Sequence, residues 1–319
     1  MAELRFDPSC TSTSQQCLAH LASERSYTNI NVPVLYLNQI PGAMDNMNWP
    51  ISAQLMRHWF DSPAWSMSDN ERKGEDASGK DIDYTDLKRQ YPHRVVDNVV
   101  KMDWLRGFDQ VKSEYSKLLL DWSTPKSRAV LHNRLKKSGW YPKKEGHQLG
   151  SSNMSALQLD NTCQINYKEV GSPTNTFNDY FGAIFKASLK IAVVGFTTYN
   201  GGKNLFHVTK AGFYLRDTYD FNIGDGFVDR HLGLGVWSKN RLLNKDETAE
   251  FLVWKGKIRT GNAWLDDKLF KKYYGFVQVW NEDFKKWSSK HGKGGDFFVF
   301  SDVKWETPGT PIPVELPDL

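Results

Sequence analysis

Apolar positions between residues 50 and 140 recur every three to four residues, whereas from about residue 180 they alternate one-for-one with polar ones. The first spacing belongs to helices that bury one stripe, the second to strands that bury one face. Pro50 stands where helices readily begin, and Ile51, Leu55, Met56 and Trp59 follow at helical spacing. Met102, Leu105, Phe108, Val111, Tyr115, Leu118, Leu119 and Trp122 mark one face over several turns and predict a single long helix. Ser123-Thr124-Pro125 reads as the cap of another, carrying Val130, Leu131 and Leu135 and closed by Gly139. Residues 1–30 read as loose, Val34–Leu37 as a short strand or extended entry, and 66–91 as an exposed loop.

In the second half, Phe185, Ala187, Leu189, Ile191 and Val193 alternate with Lys186, Ser188 and Lys190. Asn200-Gly201-Gly202 is a turn, and a second strand runs from Leu205 to about Tyr219 with Ala211, Phe213 and Leu215 on one face. Further strands are predicted around Gly233–Trp237, Phe251–Trp254, Phe276–Trp280 and Phe297–Phe300. The predicted class is α+β, a helical N-terminal half followed by a curved antiparallel β-sheet or partial barrel. The corresponding division is a mainly helical region 1–175, for delivery or docking, and a β-rich domain 176–319 carrying any chemistry.

Composition narrows the function classes. Aromatic residues make up 13% of the 319 positions, 12 of them Trp, a surplus that fills cores or lines a groove for an amphiphilic ligand. The net charge of +4 is mild, and no basic stripe interleaved with aromatics argues for nucleic acid. Cys10, Cys17 and Cys163 make a poor disulfide framework; a Cys10–Cys17 bridge stays open, but reduced thiols are expected. Charged residues throughout the first thirty positions give no secretory signal, so the chain is expected to be made in a cytoplasm. No apolar run is long enough for a bilayer, which disfavours a membrane-disrupting toxin.

Candidate chemistry concentrates at Arg216-Asp217-Thr218-Tyr219-Asp220-Phe221-Asn222. In a regular strand Asp217 and Tyr219 share the core-facing side of Phe213 and Leu215, where a carboxylate must be paired, metal-bound or facing a cavity. Asp220 falls on the other face, but a turn after Tyr219 would bring both carboxylates together, a pair able to bind Mg²⁺ and prime water. The plainer alternative has Asp217 bonded to nearby backbone amides and Asp220 beginning a turn. His207, His231 and His291 are candidate acid–base groups. His291-Gly292-Lys293-Gly294-Gly295-Asp296 lacks phosphate-loop spacing and precedes a strand, so it reads as a turn.

Two resemblances bear on context. Ile40-Pro41-Gly42-Ala43-Met44, Trp49-Pro50, Leu55-Met56-Arg57-His58-Trp59-Phe60, Lys101-Met102-Asp103-Trp104, the 216–222 segment and the run from Gly294 to Trp305 together resemble a bacterial family encoded beside type VI secretion spike components. That resemblance implies an interbacterial setting, with a secretion-spike protein and a cognate immunity protein as partners and delivery to the periplasm of a target cell. The stretch Ile191–Gly201 followed by Asp217–Asn222 is similar to the catalytic strand region of colicin M-type bacteriocins. Those enzymes cleave lipid II with Mg²⁺ through an Asp-x-Tyr-Asp motif and a following His-Arg. The resemblance implies catalytic roles for Asp217, Tyr219, Asp220 and His231, Mg²⁺ on Asp217 and Asp220, and a lipid-linked envelope precursor as substrate. The chain departs from that pattern after the motif: position 226 is Gly, and the nearest pair is Arg230-His231, reversed and later. A non-enzymatic adaptor for secretion-spike cargo is the alternative.

Overall fold

The computed structural model describes residues 34–221, 233–259 and 267–316. The segments 1–30 and His231 lie outside them.

Helices α1 (Ile40–Asn46) and α2 (Pro50–Asp61) open the chain. Pro50 occupies the first turn of α2, where its missing N–H costs no hydrogen bond, and Leu55, Met56, Trp59 and Phe60 are buried as the spacing predicts. The stretch 66–91 departs from the expected loop, because it holds α3 (Asp69–Lys73) and α4 (Tyr84–Gln90). Capping, rather than an apolar stripe, sets both. The Ser68 hydroxyl accepts from the Glu71 N–H at 3.2 Å, the Glu71 carboxylate accepts from the Ser68 N–H at 2.8 Å, and Gly74 closes the turn. Asp83 caps α4, accepting from the Thr85 and Asp86 N–H groups, each at 3.0 Å.

The short strand β1 (Val95–Val96) follows. The single helix expected over 102–122 is two: α5 (Met102–Leu105) and α6 (Asp109–Leu120). Gly107 and an extended Phe108 (φ −100°, ψ 132°) interrupt it, and both pieces keep their apolar face inward. Helix α7 (Pro125–Lys137) starts as predicted, with the Thr124 hydroxyl accepting from the Ser127 N–H at 3.1 Å. Then come β2 (Gln148–Leu149), α8 (Ala156–Thr162), β3 (Gln164–Val170) and α9 (Asp179–Ala183). The division expected near residue 175 falls in the connection between β3 and α9.

A long hairpin organises everything else: β4 (Ala187–Asn200) and β5 (Lys203–Tyr219), joined through Gly201-Gly202. The chain continues through β6 (Gly233–Trp237), α10 (Lys245–Arg259), α11 (Asp267–Tyr273), β7 (Val277–Trp280), α12 (Asn281–His291), β8 (Phe297–Phe300), β9 (Lys304–Glu306) and β10 (Ile312–Glu315). Phe251–Trp254, expected as a strand, lies in α10, where Phe251 and Trp254 both pack on Tyr273. Strand β5 is long enough to carry β10, β9 and β8 one after another along one edge, while β4 carries β3 and β2. The result is an eight-stranded, strongly curled half-barrel, antiparallel except where β1 runs parallel to β8.

One local feature supplies curvature. The register between β4 and β5 slips at Val194/Gly195, leaving Thr209 as the extra residue of a bulge, with its hydroxyl donating to the Val194 carbonyl at 3.1 Å. Only Gly fits at 195, because a Cβ there would overlap the His207 carbonyl oxygen.

Both faces of the sheet are covered. The main apolar core joins residues of the helical half, among them Trp59, Met102 and Leu118, to Phe213, Leu215, Phe297 and Val299 of the sheet. A smaller cluster of Val236, Leu243, Phe251 and Tyr273 lies under the β6–β7 pair. Among the described residues no helix is long and apolar enough to cross a membrane.

Candidate functional site at the end of β5

The last residues of β5 pair with β8, Asp217 opposite Val299 and Tyr219 opposite Phe297. Alternation then puts Asp217 and Tyr219 on the face of Phe213 and Leu215, as the sequence pattern implies. Both are buried, each 8% exposed. The Tyr219 ring stacks on Phe297 with centroids 4.9 Å apart and edges onto Phe221.

Burial dominates the titration of Asp217. Loss of water holds its carboxyl well above the ordinary carboxylate range, the Asp220 charge pushes the same way, and the Thr218 backbone amide and Arg216 oppose only in part. The carboxyl is therefore suited to carry a proton where an exposed aspartate would have lost it. Its field reaches two buried phenols. Burial first, and Asp217 second, raise the hydroxyls of Tyr180 and Tyr219 above the ordinary tyrosine range. The Tyr180 hydroxyl, delivered by α9, is buried with no hydrogen-bond partner among the described residues.

Asp220 lies just past the strand and turns away to Arg72 of α3, whose Nη1 is 3.6 Å from Asp220 Oδ1. The two aspartates feel each other electrostatically, but their settings differ: one buried and inclined to hold a proton, the other beside a guanidinium. Such a pair is not by itself a divalent-cation site, which asks for several ionised oxygens around one point. Among the described residues no group of three His, Cys, Asp or Glu side chains converges on a possible metal position. His207 is bound to the Thr198 hydroxyl at 2.9 Å and stacked on Phe196, and His291 contacts the Trp287 carbonyl and ring; neither histidine is brought to the end of β5.

Where β4 begins beside this strand end, a cleft of about 180 Å³ opens. Asp217 and Ala187 line it, as do three cations, Arg72, Lys186 and Arg216. Glu169 pairs with Lys186 at 2.9 Å, and Ser188 and Thr218 add hydroxyls. Neither Tyr219 nor Asp220 is among its described walls. The entry to β4 is held tightly. Phe185 sits at φ 56°, unusual for a residue with a side chain, and Gly171 (φ 93°) could not carry a Cβ without overlapping the Phe185 carbonyl oxygen.

A family profile matches residues 35–316, nearly the whole chain. The chain belongs to DUF6402, a family of unknown function. No curated protein and no solved structure shows significant similarity to it.

Strand alternation placed Asp217 and Tyr219 on the buried face, where the structure has them, with Asp220 next to them in sequence. It did not connect Arg72, Tyr180, Lys186 or Arg216 with this strand end. Arg216 carried a signal, being a cation on the second face of a strand whose neighbour there, Tyr214, is apolar in body and fully buried. It also missed a polar cluster on that second face. Asp160 of α8 accepts from Lys190 Nζ and from the Tyr214 hydroxyl, each at 2.7 Å. Burial lowers the Lys190 ammonium against the pull of Asp160.

Proposed function

We propose that this protein is an antibacterial effector that hydrolyses a phosphoester of a lipid-linked cell-envelope precursor at the end of β5. The observation that carries the reading is Asp217: a buried carboxyl, biased toward its protonated form, lining a cleft that also presents three cations. A hydrolysis of this kind forms a bond from water oxygen to phosphorus and breaks the phosphorus–oxygen bond to the polyprenyl alcohol. The leaving oxygen takes a proton, and a carboxylic acid held neutral is suited to give it. Asp220, ion-paired with Arg72 just outside the walls of the cleft, is the complementary group to draw a proton from the water, Tyr219 orients the pair, and His231 relays the proton. Mg²⁺ is part of the colicin M-type resemblance; no step here is routed through it, because the described carboxylates do not form a ready cation site.

The same reading places the site of action in the periplasm of a target bacterium, with transfer through a secretion-spike protein and protection of the producer by an immunity protein. Expression with an added export signal should stop growth, expression without it should not, and Asp217→Ala should abolish the effect while the protein still accumulates. Equal tolerance of exported and unexported wild type contradicts the proposal. A second reading is favoured by the Arg72–Asp220 pair, which also serves as a latch tying α3 to β5: the motif would then be architectural and the protein an adaptor for spike cargo. That reading expects no growth effect, and retention of a spike component by wild type and Asp217→Ala alike.

A further inference from the structure

We infer that the cleft at the start of β4 is a binding subsite for a phosphate or pyrophosphate group, centred on Arg216. The inference needs no bond to be cleaved, so it stands apart from the hydrolase reading.

Arg216 lies half-buried on the second face of β5, between the rings of Tyr84 at 5.1 Å and Phe298 at 5.6 Å. One Nη donates to the Arg72 carbonyl at 3.3 Å, while Nε is buried with no partner. Among the described residues no carboxylate lies within ion-pair distance of it, although even a half-buried cation gains from a counter-charge. Its neighbours differ. Arg72 is paired with Asp69 and Asp220, and Lys186 with Glu169. Those contacts are partly exposed and can be exchanged for a ligand, whereas Arg216 has no carboxylate to give up. A guanidinium without a carboxylate partner keeps Nη donors that phosphate oxygens match in charge and geometry. Across the strand pair, the Ser188 and Thr218 hydroxyls make no hydrogen bond among the described residues and line the same space. At about 180 Å³ the cleft is smaller than the roughly 300 Å³ from which whole-molecule ligand pockets start. It fits a headgroup, with the remainder of any larger molecule outside.

The test is thermal stabilisation and calorimetric titration of the full-length protein with inorganic phosphate, inorganic pyrophosphate, and phosphatidylcholine vesicles with and without a polyprenyl pyrophosphate. Pyrophosphate should bind and stabilise beyond sodium chloride or succinate at equal ionic strength. Affinity should fall about tenfold or more in Arg216→Gln. Because Arg216 packs on two rings, Lys186→Met at an exposed wall and Ser188→Ala, which removes only a hydroxyl, provide milder variants, each expected to weaken binding by a few-fold without changing the circular dichroism spectrum. Binding to free pyrophosphate identifies a soluble source, and binding only to the charged vesicles a lipid one; either supports the subsite. Stabilisation matched by chloride or succinate, or unchanged in both Lys186→Met and Ser188→Ala, overturns it.

Discussion

Arg72 of a five-residue helix and Asp220 at the end of the longest strand stand 3.6 Å apart, tying an exposed segment to the site. The two side chains are 30% and 15% exposed, so solvent screens much of their attraction. A double-mutant cycle between Arg72→Ala and Asp220→Asn, read by urea unfolding, should give a coupling of about 1 kcal/mol or less. A coupling of several kcal/mol would mean the pair holds the fold rather than positions Asp220.

Asp217 should weaken the folded state at neutral pH. Its carboxyl is raised above the ordinary value of 3.8 by burial, so the folded protein holds this proton more tightly than the unfolded chain does. The stability it supports is complete below the unfolded value and is lost as pH rises toward the higher folded value. Asp217→Asn, which cannot ionise, should therefore raise the melting temperature at pH 7 and flatten the profile above pH 4. An Asn variant less stable than wild type at pH 7, with an unchanged profile, would show that the carboxylate is ionised and satisfied.

Much of this was legible in alternation and periodicity. Helices α2 and α7 start on the prolines that mark them, and the β4–β5 hairpin follows from period two around Gly201-Gly202. The same alternation put Asp217 and Tyr219 on the buried face. What stayed hidden has physical reasons. Helices α3 and α4 are fixed by caps rather than an apolar stripe, and an apolar run such as Phe251–Trp254 suits a helix as well as a strand. Strands β9 and β10 are only three and four residues long and owe their pairing to the reach of β5. The cleft joins α3, β3, β4 and β5, so its cations meet only after folding.

The cluster on the second face should show how asymmetric a buried ion pair is. Asp160→Ala leaves Lys190 buried without its carboxylate and should cost about 3–5 kcal/mol in chemical denaturation. Lys190→Met keeps apolar volume and leaves Asp160 with the Tyr214 hydroxyl, so its cost should be clearly smaller. Equal losses would contradict this account of the pair.

Gly195 should tolerate no side chain. Gly195→Ala forces a methyl into the His207 carbonyl at the bulge and should destabilise by about 2 kcal/mol or more, measured by thermal unfolding. A neutral substitution would mean that the two strands separate there at little cost.

The central claim is tested most directly by incubating purified protein with lipid II and measuring release of the pyrophosphate-bearing headgroup, with and without EDTA. Wild type should release it, Asp217→Asn and Asp220→Asn should each lose nearly all of the rate, and His231→Ala should lose about 10²- to 10⁴-fold. No release by the wild-type protein with any divalent cation, or release undiminished in Asp217→Asn, would contradict the assignment of the β5 end as a hydrolytic site.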